Sequence, residues 1–158
     1  MAEQPAYLTP EGAERFREEL NDLVENQRPA LAERLRRAIQ QGDLSENADY
    51  TAAKETQAFM EGRILQLETM LRNAVIIQPG GTAQQRDRVT LGARVTVAED
   101  GEEPEVYHLV GPAEADPRNG RISNESPLGQ ALLGRRVGER VLVQAPAGAF
   151  TVKIVKIE

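Results

Sequence analysis

The chain has 158 residues, of which 40% are hydrophobic, 28% are charged and only 4% are aromatic. Because the charged fraction is close to the globular average of about 25%, the composition excludes a wholly disordered chain. A formal net charge of −6 disfavours nonspecific binding to a phosphate backbone, and the scarcity of aromatic rings argues against a module that stacks bases. The absence of cysteine and the single histidine, His108, exclude disulfides, thiolate zinc sites and clusters of histidine ligands.

Residues 1–77 are predicted to be helical, because this half holds only three glycines and three prolines. It also carries most of the negative charge, with 14 acidic and 9 basic residues. Thr9 can cap a first helix that has Pro10 at its first position. Pro29 should bend this helix or follow a locally opened turn, and Gly42 supplies its end. Apolar residues recur along it with the three-four spacing of one helical face, at Phe16, Leu20, Leu23, Val24, Leu31, Leu35, Ala38 and Ile39.

A second helix of roughly 30 residues follows, and its apolar residues show a heptad pattern. One seam position holds Ala53, Met60, Leu67 and Ala74, and the other holds Gln57, Ile64 and Leu71. Because the connection between the two helices is very short, they must run antiparallel. We therefore predict a coiled-coil hairpin over residues 1–77, about 45 Å long, with its tip at 41–50. Phe59 and Met60 are interpreted as packing residues of this hairpin.

Residues 78–158 alternate apolar runs with turn residues, and a polar stretch over 78–88 predicts an interdomain linker. A short helix is predicted to begin at Ser126-Pro127-Leu128 and to end at Gly134. Strands are predicted over 93–98, 105–110, 120–123, 139–144 and 149–157. The expected fold class is α+β, with the helical hairpin followed by a small domain at 89–158 that is built on an antiparallel sheet.

The connection between the two helices is acidic. Asp43, Glu46 and Asp49 fall within seven residues, and carboxylate oxygens are the ligands that Mg²⁺ accepts. Carboxylates held at the end of a rod could bring a metal ion and a water to a phosphodiester. The alternative is structural, since Asp43 with Glu46 three residues later also fits a capping box. Spacing alone favours capping, although three acids exceed what a cap uses.

Basic residues flank this tip. Arg36 and Arg37 precede it, and Lys54 follows Tyr50 by one helical turn. They could contact the 3′ end of a nucleic acid, or they could pair with neighbouring glutamates on exposed helix faces, which is the commoner case. His108 lies in a predicted strand, and we expect it at a surface or half-buried position without a catalytic role.

Several longer motifs stand in a fixed order along the chain. They are Leu8-Thr-Pro-Glu-Gly12, Gly42-Asp-Leu-Ser-Glu-Asn-Ala-Asp-Tyr50, Glu61-Gly-Arg-Ile64 and Arg121-Ile-Ser-Asn-Glu-Ser-Pro-Leu128. Together they closely resemble the bacterial transcript cleavage factors of the GreA/GreB family, over essentially the whole chain apart from the first six residues and the linker. Leu44 and the run Ala52-Ala53-Lys54 are closer to the GreA branch than to the GreB branch.

The resemblance implies a transcription elongation factor that is not itself an enzyme. In such factors a C-terminal domain of FKBP-like fold docks on a coiled coil at the rim of the secondary channel of RNA polymerase, and the hairpin places its acidic tip beside the polymerase active site. The polymerase then cleaves the backtracked nascent RNA, whose 3′ end is extruded there. We expect bacterial RNA polymerase and this RNA end as partners, and DNA association only through the polymerase complex. We also expect the chain to be a monomer. No apolar run approaches the roughly 20 residues that cross a bilayer, so we expect a cytoplasmic protein without a membrane partner.

The resemblance also implies roles for particular residues. Asp43 and Glu46 would hold a Mg²⁺ ion shared with the polymerase active site and would position the attacking water, while the chain alone binds no cofactor. Ser126, Pro127 and Leu128 would contact the polymerase, although Ser-Pro-Leu is also a good helix start. Residues that would support the tip or touch RNA are Ser45, Asn47, Asp49, Tyr50, Lys54 and Arg37.

Two other functions stay open at this point. A regulator could occupy the same channel and inhibit synthesis without cleavage, but the intact pair of Asp43 and Glu46 argues against it. A prolyl isomerase would fit an FKBP-like fold, but fold does not determine function. Such isomerases use an aromatic-lined pocket, and residues 78–158 contain only Tyr107 and Phe150 as aromatic residues.

Overall fold

The structure of the chain is a computed structural model that describes residues 4–42, 46–78 and 87–158. Contacts between Cα atoms divide the chain into two units. The hairpin unit contains Ala13–Asn73, and the C-terminal unit contains Pro5–Gly12 together with Ala74–Glu158. Most of the predicted linker, 79–86, lies outside the described residues.

Three α-helices account for the predicted hairpin: α1 (Pro10–Asp22), α2 (Arg28–Gln40) and α3 (Ala48–Arg72). A π-helical turn, Leu23–Gln27, joins α1 to α2, and the N–H of Arg28 donates to the carbonyl of Leu23. Pro29 explains this opening, because its ring lacks an N–H and would clash with the carbonyl four residues earlier. The locally opened turn predicted before Pro29 is therefore confirmed.

The core of the hairpin unit follows the predicted seam of α3. The buried residues are Leu23, Leu31, Ala53, Met60, Ile64 and Leu67, and the partly buried Phe16, Leu20, Val24, Leu35 and Met70 pack against them. Two packing predictions are wrong, because Phe59 is 83% exposed and Ile39 is 52% exposed. Each directly adjoins a core residue in sequence, and neighbouring residues point about 100° apart around a helix. Ala74 also leaves the predicted seam, because it begins a strand.

Two bidentate ion pairs fix the register between the helices. Arg28 reaches Glu61 with Nε–Oε1 and Nη2–Oε2 distances of 2.9 and 2.8 Å. Arg63 reaches Glu19 with Nε–Oε1 and Nη2–Oε2 distances of 2.6 and 2.8 Å. The hydrogen bond from Arg63 lowers the pKa of Glu19. Two parallel N–H···O bonds define a geometry that a single contact between point charges does not, so each pair holds α3 against one partner helix.

The C-terminal unit is built on a five-stranded sheet, whose strands lie side by side in the order 121–123, 105–110, 94–98, 148–157 and 140–145. The five predicted strands and the short helix are confirmed, with each strand boundary within one residue of its prediction, as β3 (Arg94–Ala98), β4 (Glu105–Val110), β5 (Arg121–Ser123), α4 (Pro127–Leu132), β6 (Arg140–Ala145) and β7 (Gly148–Ile157). Neighbouring strands are antiparallel except for β4 and β5, which are parallel. The α+β fold class is confirmed.

A second sheet joins the two ends of the hairpin sequence. Strand β1 (Ala6–Leu8) pairs in parallel with strand β2 (Ala74–Ile76), and the N–H of Ile77 donates to the carbonyl of Leu8 at 2.7 Å. Both strands belong to the C-terminal unit. The structure therefore assigns residues 5–12 and 74–77 to the C-terminal unit, whereas the sequence-based division placed them in the hairpin at 1–77.

Candidate functional site

The tip of the hairpin is described from both sides but not at its centre. Helix α2 ends at Gln40, and Gly42 follows with a φ of 112°, a left-handed conformation that favours glycine. Residues 43–45 lie outside the described residues. The site predictions for Asp43 and Ser45 therefore have no geometry here. Glu46 is the first described residue on the far side, and it is exposed.

Asn47 organises the described part of the tip. Its Oδ1 accepts a hydrogen bond from the N–H of Tyr50 at 3.1 Å, which makes it the N-cap of α3. Its Nδ2 donates to the carbonyl of Ala38 near the end of α2 at 2.6 Å. One side chain thus satisfies an amide that a helix start leaves open and ties the two helices together. A capping box formed by Asp43 and Glu46 would place Glu46 inside the first turn of a helix, but Glu46 precedes Asn47, the N-cap of α3, so the structure does not bear out that interpretation for Glu46. The role of Asp43 in such a box lies outside the described residues.

Tyr50 and Lys54 lie on one face of the first turns of α3. The Nζ of Lys54 is 5.8 Å from the centroid of the Tyr50 ring, close enough for a cation–π contact. The same ammonium donates to Oε1 of Gln57 at 3.3 Å. Asp49 is exposed in the first turn of α3, where its negative charge interacts favourably with the positive end of the helix dipole. Three of the predicted tip residues therefore sit together at the start of one helix.

Arg36 and Arg37 both pair with Glu33. The Nε of Arg36 is 2.9 Å from Oε2 of Glu33, and the Nε of Arg37 is 3.3 Å from Oε1. The hydrogen bond from Arg36, reinforced by both positive charges, lowers the pKa of Glu33 to about 2. This is the ion pairing that the sequence offered as the alternative to nucleic-acid contact. Because such exposed ion pairs contribute little to stability, Arg37 can exchange its partner readily.

The described acids at the tip suit a hard cation but do not complete a site for one. Exposed carboxylates such as Glu46 and Asp49 supply the oxygen ligands that Mg²⁺ takes. Within 4–42, 46–78 and 87–158, no three histidine, aspartate or glutamate side chains converge as a metal ligand set. The donor chemistry therefore fits Mg²⁺, and a complete ligand set would need groups beyond the described residues.

The predicted polymerase-contact segment starts helix α4. Ser126 Oγ accepts from the N–H of Gly129 at 3.1 Å and donates to the carbonyl of Ser123 at 2.6 Å, while Pro127 occupies the first turn. The helix start suggested by Ser-Pro-Leu is therefore confirmed for Ser126. Leu128 is partly buried and packs against the core of the unit.

Leu128 also lines a cavity of about 240 Å³ on the C-terminal unit. Its apolar wall contains both aromatic residues of residues 78–158, Tyr107 and Phe150, and four glutamates line the remainder. The complete lining is Val97, Glu99, Glu102, Glu103, Glu105, Tyr107, Leu128, Phe150 and Val152. Sequence reasoning did not single out these glutamates, although their density over 99–105 was a visible signal.

The glutamates crowd one another around this cavity. Desolvation, together with a hydrogen bond and repulsion from Glu102, raises the pKa of Glu99. The hydroxyl of Tyr107 donates to Glu105, and burial together with this bond raises the pKa of Tyr107 to about 12. A positive side chain entering the cavity would relieve this repulsion. The cavity therefore fits a partner that presents an apolar group beside a lysine or an arginine.

His108 is half-buried in β4, as predicted. Its Nε2 lies 3.2 Å from the carbonyl oxygen of Gly92, and burial followed by repulsion from Arg94 lowers its pKa. It lines a second cavity, of about 220 Å³, together with Arg94 and Glu158. The geometry gives His108 a backbone contact and no catalytic partner among the described residues.

Comparison with known proteins places the whole chain in one group. The family model described as "Transcription elongation factor, N-terminal" matches residues 6–76, and the model described as "Transcription elongation factor, GreA/GreB, C-term" matches residues 84–158. A transcription elongation factor GreA of Bacillus cytotoxicus is 49% identical over 161 residues, with 100% of both chains covered. That of Thermodesulfovibrio yellowstonii is 48% identical over 151 residues, covering 95% of this chain and 94% of the relative.

Among solved structures, the GreA factor homolog 1 protein of Thermus thermophilus is 30% identical, with 98% of this chain and 99% of that chain covered and a TM-score of 0.46. The two family models together match nearly all of the present sequence. The chain therefore belongs to the GreA/GreB family of transcription elongation factors. Among the described residues, no helix has both the length and the apolar character needed to span a membrane.

Proposed function

We propose that the chain stimulates endonucleolytic cleavage of backtracked nascent RNA by bacterial RNA polymerase and so rescues arrested elongation complexes. The observation that carries the proposal is the separation of roles at the tip. Asn47 caps α3 and ties it to α2, while the adjacent Glu46 is exposed and is not used as the cap. Since no described residue binds this carboxylate, it can interact with a partner.

The shape of the hairpin supports delivery of this carboxylate to a confined site. Helix α3 has 25 residues, which corresponds to about 37 Å. Two packed helices are thin enough to enter a channel that excludes a globular domain. The hairpin unit would enter the secondary channel of the polymerase and bring Glu46, together with Asp43, beside the polymerase active site.

The two acids would act on the reacting groups from this location. A Mg²⁺ ion shared with the polymerase, when bound, supplies electrostatic stabilisation of the charge that develops on the cleaved phosphodiester. Asp43 and Glu46 would hold that ion through oxygen ligands, and a carboxylate oxygen would accept a hydrogen bond from the attacking water. The RNA is cleaved in the polymerase active site, so the chain is a stimulating factor and not an enzyme in its own right.

The neighbouring residues would support this arrangement. Asn47 fixes the first turn of α3, and Tyr50 with Ser45 and Asp49 would shape the surface around the acids. Lys54 and Arg37 would contact phosphates of the RNA 3′ end. Because only these two basic side chains would contact the RNA, the polymerase would make most of the contacts to the RNA backbone. A chain with a net charge of −6 would otherwise repel the phosphates.

Docking on the polymerase would use the C-terminal unit. Ser126 and Pro127 set the start of α4, and Leu128 forms part of the apolar wall of the glutamate-lined cavity. A segment of the polymerase that carries an apolar side chain next to a basic one would match both parts of this cavity. Since the contact is partly electrostatic, association should weaken as salt concentration rises.

Transcript cleavage in stalled elongation complexes tests the proposal. The wild-type chain should shorten the RNA from its 3′ end in the presence of Mg²⁺, and Asp43→Ala/Glu46→Ala protein should not. Glu68→Ala, which removes another exposed acid of α3, is the matched control and should retain cleavage. Cleavage by the double variant at the wild-type rate would refute the roles of the two acids. Inhibition of synthesis without cleavage by the wild type would instead support a regulator that only occupies the channel.

A further inference from the structure

A buried glutamate of the C-terminal unit binds Thr9, the residue that caps helix α1. Glu114 accepts two hydrogen bonds from Thr9, one from the backbone N–H at 2.7 Å and one from the Oγ1 hydroxyl at 2.6 Å. Both residues are only 6% exposed, and they are 105 residues apart in the sequence. Buried carboxylates are rare unless they are paired, so this contact calls for an explanation.

Thr9 connects this carboxylate to helix α1. Its Oγ1 accepts from the N–H of Gly12 at 3.0 Å, which is the capping bond predicted from the sequence. A Cβ added at Gly12 would lie 1.9 Å from Oε1 of Glu114. The carboxylate thus packs directly on the first turn of α1, where the positive end of the helix dipole favours a negative charge.

The segment before Thr9 is fixed in the same unit. Leu8 is fully buried, and a Cβ added at Gly111 would lie 2.3 Å from the carbonyl oxygen of Tyr7. Strand β1 pairs with β2, which begins two residues after the last residue of α3. Helix α1 begins among residues of the C-terminal unit and continues into the hairpin unit. The first turn of α1 is therefore fixed within the C-terminal unit, and the same helix continues into the hairpin unit.

We propose that Glu114 is a positioning residue for transcript cleavage: it holds Thr9 and thereby fixes the first turn of α1, the helix that continues into the hairpin unit. This inference rests on the proposed function. Glu114 itself would touch neither RNA nor metal. Its loss should leave docking intact and should lower the fraction of docked molecules whose tip reaches the polymerase active site.

A purely structural role makes a different prediction. If Glu114 only stabilised the fold, variants that remain folded at the assay temperature would cleave normally once docked. Positioning instead predicts that a folded variant docks at the wild-type concentration but has a lower cleavage rate at saturation. The rate at saturation and the half-saturating concentration therefore separate the two roles, because misplacement of reacting groups lowers rate more than binding.

The experiment compares Thr9→Val with Thr9→Ser, because valine keeps the shape of threonine without its hydroxyl and serine keeps the hydroxyl. Each variant, the Glu114→Gln variant and the wild type are titrated into stalled elongation complexes, and circular dichroism checks that each is folded. We expect Thr9→Val to lower the saturating cleavage rate at least five-fold with less than a two-fold change in half-saturating concentration. Thr9→Ser should restore at least half of the wild-type rate. Glu114→Gln, which keeps one acceptor oxygen, should fall between them.

Two results would overturn the inference while leaving the proposed function standing. One is a saturating rate for folded Thr9→Val equal to that of the wild type, and the other is an equal loss in Thr9→Ser. If Thr9→Val does not fold, Glu114→Gln decides by the same two readouts. A wild-type chain that does not stimulate cleavage in these complexes would instead refute the proposed function.

Discussion

Asn47 offers the sharpest test of how the tip is built, because its side chain makes two bonds that different substitutions can separate. Asn47→Ala removes both the cap bond to the N–H of Tyr50 and the bond to the carbonyl of Ala38. Asn47→Ser keeps an oxygen that can cap the helix, but the serine side chain is too short to reach the carbonyl of Ala38. The pair of variants therefore distinguishes capping from the link between the helices.

The magnitudes follow from the two bonds. Loss of an N-cap costs about 1 kcal/mol, and loss of a partly buried hydrogen bond costs about 1 kcal/mol. Asn47→Ala should therefore lower the local stability of the tip by about 2 kcal/mol, and Asn47→Ser by about 1 kcal/mol. Since 1.4 kcal/mol is about a factor of ten in an equilibrium constant, exchange of the Tyr50 amide should become about 25-fold faster in the first variant and about 5-fold faster in the second.

Amide hydrogen exchange measured by NMR reports this local stability directly, and the amides of Ile64 and Leu67 in the buried part of α3 serve as an internal control. Their exchange should change much less than that of Tyr50. Equal acceleration in Asn47→Ser and Asn47→Ala would contradict the view that the cap contributes separately. No acceleration in either variant would refute both bonds.

The remaining predictions concern the C-terminal unit. Gly12→Ala should destabilise it by about 1–3 kcal/mol, because the new Cβ would lie 1.9 Å from the Glu114 carboxylate and would displace it from Thr9. Urea unfolding should show this as a lower midpoint, and an unchanged midpoint would contradict the close contact. The lowered pKa of His108 means that the unfolded chain binds more protons below its ordinary pKa of about 6.5. Stability should therefore fall as pH drops below that value, and His108→Gln should show a smaller loss of stability between pH 7.5 and 5.5. An equal loss in both proteins would show that other groups cause the pH dependence.

Local sequence patterns were sufficient for most of the fold. Strand β4 was predicted at 105–110 and is found there, because alternation of apolar residues and flanking turn residues both act within a few positions. The opening before Pro29 was equally predictable, because a missing N–H affects only the preceding turn. The error at Phe59 arose from the same local reasoning, since one residue of error in helical phase moves a side chain about 100° from the core.

Contacts between distant residues could not be predicted in this way. Strands β1 and β2 have only three residues each, and they pair across more than sixty intervening residues. Nothing near Glu114 in the sequence indicates that its partner is Thr9, because the 3₁₀ turn that carries it is itself unremarkable in composition. At the tip, the preference of asparagine for N-cap positions was a usable signal for Asn47, but the acids at 43 and 46 fit a capping box and drew the structural interpretation to themselves.

Three glutamates that are bound within the fold differ from Glu46, the exposed acid at the tip. Glu114 is bound by Thr9, Glu61 by Arg28 and Glu19 by Arg63, so each has its oxygens engaged by donors within the fold. Glu46 precedes a cap that Asn47 already provides, and it faces solvent. No described residue pairs with Glu46, so within 4–42, 46–78 and 87–158 its carboxylate contributes little to folding. Under the proposed function, Glu46 would supply an oxygen ligand to a cation or a water held between this chain and the polymerase.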